Sequence, residues 1–269
     1  MKLLLRERAF EGETHLVTGA GQGIGLAVAA ALARHGACVA LVDLDAGRLR
    51  EVAEEIAKDA PVAPIVAAAN VADEAAVQGA VATALEANGC LNGAVNVAGI
   101  TRDARIPKKS LADFEAVMAV HVRGTFLVTR EIAAQHWHPL FKENESQPLR
   151  DGVNRFLVNF SSVSARNGNV GQIDYTAAKG AIESMTKTAA REFASYGARV
   201  NAIAPGPVNT PMLAAVGEAG IQAMGRATLI GRIAEPEDIA ASVCAIADPA
   251  LFAYTTGQVF AANGGLYLD

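Results

Sequence analysis

Cysteine is rare in this chain, aromatic residues are few, and basic residues do not outnumber acidic ones. The three cysteines, Cys38, Cys90 and Cys244, stand far apart and have no metal-ligand spacing. Each sits in or beside an apolar segment, so buried free thiols are expected rather than a disulfide framework or a metal centre. With Lys+Arg 23 against Asp+Glu 28, the formal charge is −5. Nucleic acid and anionic membranes ask for a basic face, so neither is expected as a partner. Long apolar runs are missing too. Residues 1–5 hold three leucines before Arg6, Glu7 and Arg8 end the run, which is too short for a signal-peptide core or a membrane span. Free thiols without a leader point to a reducing compartment, the cytoplasm.

What the chain has in quantity is small residues and alternation. Hydrophobic residues at 51% and 25 glycines suit close packing of helices on a sheet. A length of 269 residues suffices for one core, and a single domain over residues 1–269 is expected. Apolar runs at residues 15–18, 38–43, 64–68, 94–97, 156–160, 200–203 and 258–261 read as strands. The first six are nearly continuous, as in parallel strands covered on both faces. Helix-period segments at 24–35, 46–58, 73–88, 111–135 and 175–196 lie between them. This alternation predicts an α/β, doubly wound Rossmann fold with a seven-stranded, mostly parallel sheet flanked by helices. Residues 136–155 carry two prolines and mixed charge and read as a surface excursion. Residues 211–230 follow a Pro-Gly-Pro turn and read either as a substrate lid or as an ordinary helical connection.

The first run enters Thr18-Gly19-Ala20-Gly21-Gln22-Gly23-Ile24-Gly25 and then a helix. Glycines there permit a tight turn and close backbone approach to a pyrophosphate, which the free N–H groups of the helix start attract. Asp43 ends the second run, 24 residues after Gly19. Such an acid accepts hydrogen bonds from the adenosine ribose and repels a 2′-phosphate, and Gln22, Leu44 and Asp45 bring no cation to offset it. NAD is therefore expected over NADP. The other reading of Asp43 is a solvated strand end or a cap for the helix starting near Ala46.

Tyr175 and Lys179 are four apart in a helical segment and share a face. An ammonium beside a phenol stabilises tyrosinate. Ser162 ends the fifth run thirteen residues earlier, where strand ends gather around a ligand. With these residues in order, the chain resembles the short-chain dehydrogenase/reductase superfamily over residues 15–268. The likeness lies in Thr18-Gly19 with Gly23-Ile24-Gly25, Asn96-Val97-Ala98-Gly99, Asn159-Phe160-Ser161-Ser162, Tyr175 with Lys179, Asn201-Ala202-Ile203-Ala204-Pro205-Gly206, and Thr210. The resemblance implies that Tyr175 is the acid or base at the substrate oxygen and that Ser162 orients that oxygen. Lys179 would bind the nicotinamide ribose and tune Tyr175, and Thr210 would hold the carboxamide. It further implies a cofactor site of Gly19, Gln22, Gly23, Ile24, Gly25, Asp43, Leu44, Asn70, Val71, Asn96, Ala98, Gly99, Tyr175, Lys179, Pro205, Gly206, Val208 and Thr210, with no metal. Asn70-Val71 stands where the family commonly has Asp-Val beside the adenine.

His121, in Val120-His121-Val122-Arg123-Gly124, replaces the family's fourth active residue, usually asparagine. Its imidazole either holds a water or relays a proton, titrating near the usual histidine range, or is a buried group bonded to backbone. A similar V-H-x-R-G pattern occurs in (R)-3-hydroxyacyl-CoA dehydrogenases. Gly99-Ile100-Thr101-Arg102-Asp103 and Gly168-Asn169-Val170-Gly171-Gln172 are similar to stretches of 3-oxoacyl-carrier-protein reductases. An arginine near Tyr196 that would dock a carrier protein is absent. The expected substrate is thus a ketone or secondary alcohol, foremost a 3-oxoacyl or 3-hydroxyacyl thioester of CoA or carrier protein. A steroid, cyclic alcohol or xenobiotic ketone is the alternative, and a weakly active NAD-binding scaffold is a third. The resemblance also implies a homotetramer packed through residues 111–135 and 175–196.

Overall fold

The computed structural model describes residues 8–214 and 216–268; the apolar start at residues 1–5 lies outside them. The chain opens with β1 (Thr14–Thr18), α1 (Gly23–Arg34), β2 (Cys38–Val42), α2 (Ala46–Ile56), β3 (Ile65–Val66) and α3 (Glu74–Asn88). Next come β4 (Gly93–Asn96), α4 (Leu111–Met118), α5 (Gly124–Ile132), α6 (His138–Glu143), β5 (Arg155–Phe160) and α7 (Ser164–Asn167). It ends with α8 (Ile173–Glu192), β6 (Ala198–Ile203), α9 (Pro211–Ala214), α10 (Glu218–Ala227), α11 (Pro236–Ala247), α12 (Pro249–Phe252) and β7 (Val259–Phe260). The strands form one sheet in the order β3-β2-β1-β4-β5-β6-β7, and every pairing is parallel. The expected doubly wound α/β architecture is present.

The near-continuous apolar runs have their cause in two cores, one on each face. Strand side chains alternate between them. Val17, Leu41, Val95 and Val158 join the core under α1, α2 and α11. Leu16, Ala40, Ala94 and Leu157 join the core under α3, α5 and α8. No helix among the described residues is long and apolar enough to cross a membrane. The order in which strands are added reverses between β1 and β4, since β2 and β3 build outward on one side and β5 to β7 on the other. A ligand crevice forms at the carboxyl ends of such a pair. Thr18 and Asn96 stand opposite one another there.

Three expectations need correction. The 111–135 helix is not uniform and runs on to Glu143: turns of the wider π form at Ala119–Arg123 and Ala133–Trp137 separate α4, α5 and α6. The 136–155 excursion is not merely superficial. Trp137 is fully buried and its indole donates to the Leu91 carbonyl at 3.0 Å; α6 follows, and Leu149 and Arg155 are buried. The edge strands β3 and β7 have two residues each, shorter than the apolar runs that announce them. An edge residue has one neighbouring strand, so pairing stops before the apolar pattern does.

Candidate active site

The glycine-rich turn is shaped by contacts that leave no room for side chains. Gly19 has φ +68, and a Cβ there would meet the Ala98 backbone at 3.0 Å. A Cβ on Gly25 would collide with the Gly19 carbonyl oxygen. Thr18 Oγ1 accepts from the Val97 and Ala98 amides at 3.0 and 3.1 Å, tying the two facing turns together. On the far side, a Cβ on Gly23 would lie 3.3 Å from Thr210 Cγ2, so the turn after β6 reaches the same crevice. Gly206 is pressed against Asn263, and Val208 bridges to Ala234, which fixes the path from Pro205 to Thr210. Gln22 is exposed and Ile24 partly buried.

Asp43 does not cap α2. Asp45 does, accepting from the Gly47 and Arg48 amides. Instead Asp43 Oδ2 accepts from the Gly21 amide at 3.0 Å and Oδ1 from the Leu44 amide at 2.7 Å. The carboxylate therefore stands beside the glycine turn, with Leu44 largely exposed next to it. A cation also stands nearby, contrary to expectation: Arg48 Nε donates to the Gly21 carbonyl at 3.0 Å. Glu51 pairs with the same guanidinium at 2.9 Å, so its charge is offset. Arg48 escaped sequence reading because it lies in the first turn of α2, beyond the strand-end residues Leu44 and Asp45. Asn70 Oδ1 accepts from the Ala72 amide, and Val71 packs where Gly124 leaves space.

Tyr175, Ser162, Lys179 and His121 converge at the carboxyl ends of β4 and β5. Burial pushes the Tyr175 phenol above its ordinary value, the Ser162 hydroxyl hydrogen bond draws it back, and the Asp103 carboxylate raises it. Lys179 Nζ donates to the Phe160 carbonyl at 2.6 Å and stands 5.5 Å from the centre of the Tyr175 ring. Burial pulls its pKa down to about 7. Asn96 Nδ2 donates to Asn159 Oδ1 and Asn159 Nδ2 to Thr186 Oγ1, both at 2.9 Å, a polar chain that locks β4 and β5 to α8. Asn96 Oδ1 is buried without a hydrogen-bond partner.

The His121 ring meets the Tyr175 ring edge to face, centroids 5.2 Å apart. Its Nε2 lies 2.8 Å from the Ile100 carbonyl oxygen and 3.0 Å from the Ile100 amide nitrogen; the tautomer decides whether it donates to one or accepts from the other. Gly99 is obligatory here, since a Cβ would overlap the imidazole. Burial first, then the Lys179 charge, lowers the His121 pKa to about 3. The imidazole is therefore neutral near pH 7, and the titration expected near the usual histidine range is displaced downward. Between about pH 3 and 6.5 the unfolded chain binds a proton that the folded chain refuses, so stability falls as pH drops through that window. His121→Asn removes this contribution. Its unfolding free energy, measured from pH 7 to pH 4, is expected to decline less steeply than that of the wild type. Parallel decline in both proteins would contradict a depressed His121.

The arrangement suits a dinucleotide. A Cβ at Gly19 or Gly25 would strike neighbouring backbone, no side chain caps the start of α1, where free amides suit an anion, and a buried Asn96 oxygen lacks a partner. Among the described residues no group of three His, Cys, Asp or Glu side chains could hold a metal ion.

Comparisons with known proteins agree with this architecture. Residues 19–267 match the family model described as Enoyl-(Acyl carrier protein) reductase. The 3-oxoacyl-[acyl-carrier-protein] reductase of Aquifex aeolicus is 34% identical over 265 residues, covering 97% of this chain and 100% of that protein. The (3R)-3-hydroxyacyl-CoA dehydrogenase of Homo sapiens is 34% identical over 261 residues, covering 94% of this chain and 95% of its relative. A crystal structure of 3-ketoacyl-(acyl-carrier-protein) reductase from Brucella melitensis, complexed with NADH, superimposes with a TM-score of 0.84 at 31% identity, covering 96% of this chain and 100% of that one. With likeness of sequence and fold over nearly its whole length, the chain belongs to the short-chain dehydrogenase/reductase family and is an oxidoreductase.

Proposed function

We propose that this protein interconverts a 3-hydroxyacyl and a 3-oxoacyl thioester with NAD(H). The observation that carries the reading is the Tyr175 phenol, hydrogen-bonded to Ser162 and flanked by the Lys179 ammonium. A bound nicotinamide supplies the hydride in reduction and accepts it in oxidation. In reduction, Tyr175 gives its phenolic proton to the carbonyl oxygen, and the Ser162 hydroxyl donates a second hydrogen bond to that oxygen. Lys179 stabilises the tyrosinate left behind and donates to the nicotinamide ribose. In oxidation the same groups act in reverse. His121 holds Ile100 in place beside this centre through Nε2, which leaves Nδ1, buried without a hydrogen-bond partner, for proton relay. Gly19, Gln22, Gly23, Ile24 and Gly25 hold the pyrophosphate. Asp43 and Leu44 hold the adenosine ribose, and Asn70 and Val71 border the adenine. Asn96, Ala98, Gly99, Pro205, Gly206, Val208 and Thr210 line the nicotinamide end.

Thioester substrates are favoured by the names of the relatives, which act on 3-oxoacyl carrier protein and 3-hydroxyacyl-CoA. Apolar Met212, Leu229 and Ile230 are exposed on the 211–230 segment, as a lid over an acyl chain would require. Leu111, Phe126 and Ile173 are exposed on α4, α5 and α8, which supports assembly with further copies through these helices. The decisive experiment follows NADH and NADPH oxidation with acetoacetyl-CoA, acetoacetyl carrier protein and cyclohexanone. Acetoacetyl-CoA is expected to be reduced fastest, with NADH. A preference for cyclohexanone would replace the thioester reading.

Cofactor choice has its own test. Asp43→Ala removes acceptors for the ribose hydroxyls and the charge that repels a 2′-phosphate. NADH affinity is expected to weaken by about 1–3 kcal/mol while NADPH binding improves. Wild-type protein that prefers NADPH would mean that Arg48, not Asp43, governs that end of the crevice.

A further inference from the structure

We propose that the buried ion pair between Lys109 and Asp174 is a clamp that positions residues 100–109 against Tyr175. The inference rests on the reading of Tyr175 as the proton donor. The two side chains are 5% and 1% exposed, with Nζ 2.8 Å from Oδ2. Taking both charges out of water is expensive, so such a pair is a poor source of stability. Its geometry gives it another use. Asp174 lies in the first turn of α8, and its Oδ1 accepts from the amide of Tyr175 itself at 2.9 Å. That amide is one of the donors a helix start leaves unpaired. Lys109 Nζ also donates to the Arg102 carbonyl, so one ammonium closes the segment on itself and ties it to the backbone of Tyr175.

The same segment touches the site at three more places. His121 binds Ile100, the Ala104 amide donates to the Gly171 carbonyl at 2.9 Å, and Gln172 Nε2 donates to the Asp103 carboxylate at 3.0 Å. Asp103 in turn acts on the Tyr175 phenol. Ile100 thus reaches the Tyr175 ring through His121 and Asp103 acts on the phenol through its charge, and the Lys109–Asp174 pair sets their register. Lys109 and Asp174 are positioning residues: they reach the reacting atoms only through this segment. A displacement of about 1 Å at such a centre can cost 100-fold in rate.

The test uses the full chain with NADH and whichever ketone of the panel above the wild type reduces fastest. Lys109→Met alone strands a buried carboxylate and is expected to lower the melting temperature. In Lys109→Met/Asp174→Asn no buried charge is stranded, and asparagine keeps an oxygen for the Tyr175 amide. This double variant is expected to melt near the wild type and to bind NADH within twofold. Its kcat/KM for the ketone should fall tenfold or more, and Lys109→Arg should stay within threefold of wild type. Wild-type kcat/KM in the double variant, or its failure to fold, would show that the pair is merely structural and overturn the clamp. Tyr175→Phe measured alongside separates the two readings. Turnover surviving in Tyr175→Phe takes down the proton-donor reading and the clamp with it. Turnover lost there but intact in the double variant takes down the clamp alone.

Discussion

Tyr175→Phe is expected to slow turnover by about 100-fold or more, the usual consequence of losing a positioned general acid. The change removes one oxygen atom and leaves a ring of the same shape, so the edge-to-face contact with His121 is retained. Nucleotide affinity, followed by NADH fluorescence, is expected to survive within about twofold. A rate within threefold of wild type would transfer the proton-donor role to another group.

Lys179→Met has a double signature. Turnover is expected to collapse, because no ammonium remains to stabilise the tyrosinate. Thermal stability, measured without added nucleotide, is expected to rise. The folded-state pKa of Lys179 is about 7 against an ordinary 10.5. Between those values the unfolded chain carries a proton that the folded chain lacks, so wild-type stability increases with pH across that window. Below about pH 7 the destabilisation is present in full, on the order of a few kcal/mol. The gain in melting temperature should therefore be larger at pH 6 than at pH 9. Loss of the hydrogen bond to the Phe160 carbonyl subtracts from the gain equally at both. A gain that grows with pH would contradict a Lys179 held near neutrality.

The central strands were legible because burial on both faces favours apolar residues at successive positions: β1 and β2 are buried at every residue, and the polar Thr14, His15 and Thr18 of β1 are buried hydrogen-bonded. The placement of Thr18, Ser162 and Tyr175 followed, since strand ends and helix starts bring them together regardless of detail. Other features left no local trace. The π turn at Ala119–Arg123 keeps helical composition and changes only which amide meets which carbonyl. Trp137 lies in a polar, proline-bearing stretch, and it is buried in the core beside α3, α5 and α8, where its indole finds the distant Leu91 carbonyl. Lys109 and Asp174 are 65 residues apart, and each by itself reads as a solvated charge. Arg48 is one of two arginines of α2, with Arg50, and only the fold selects it for the Gly21 carbonyl.

The parallel order of the sheet also bears on how the chain acquires its structure. β1 sits between β2 and β4, and the contact that closes its second side, Thr14 to Asn92, spans 78 residues. Pairing over such separations makes folding slow, because chain entropy is lost before the contacts form. The early β1–α1–β2 unit can assemble from neighbouring segments. One edge of β1 then remains an open template until β4 arrives, and during synthesis that edge is where another chain could add. The glycine turn lies at the end of this same strand, so the nucleotide crevice is complete only after the slowest pairing has been made.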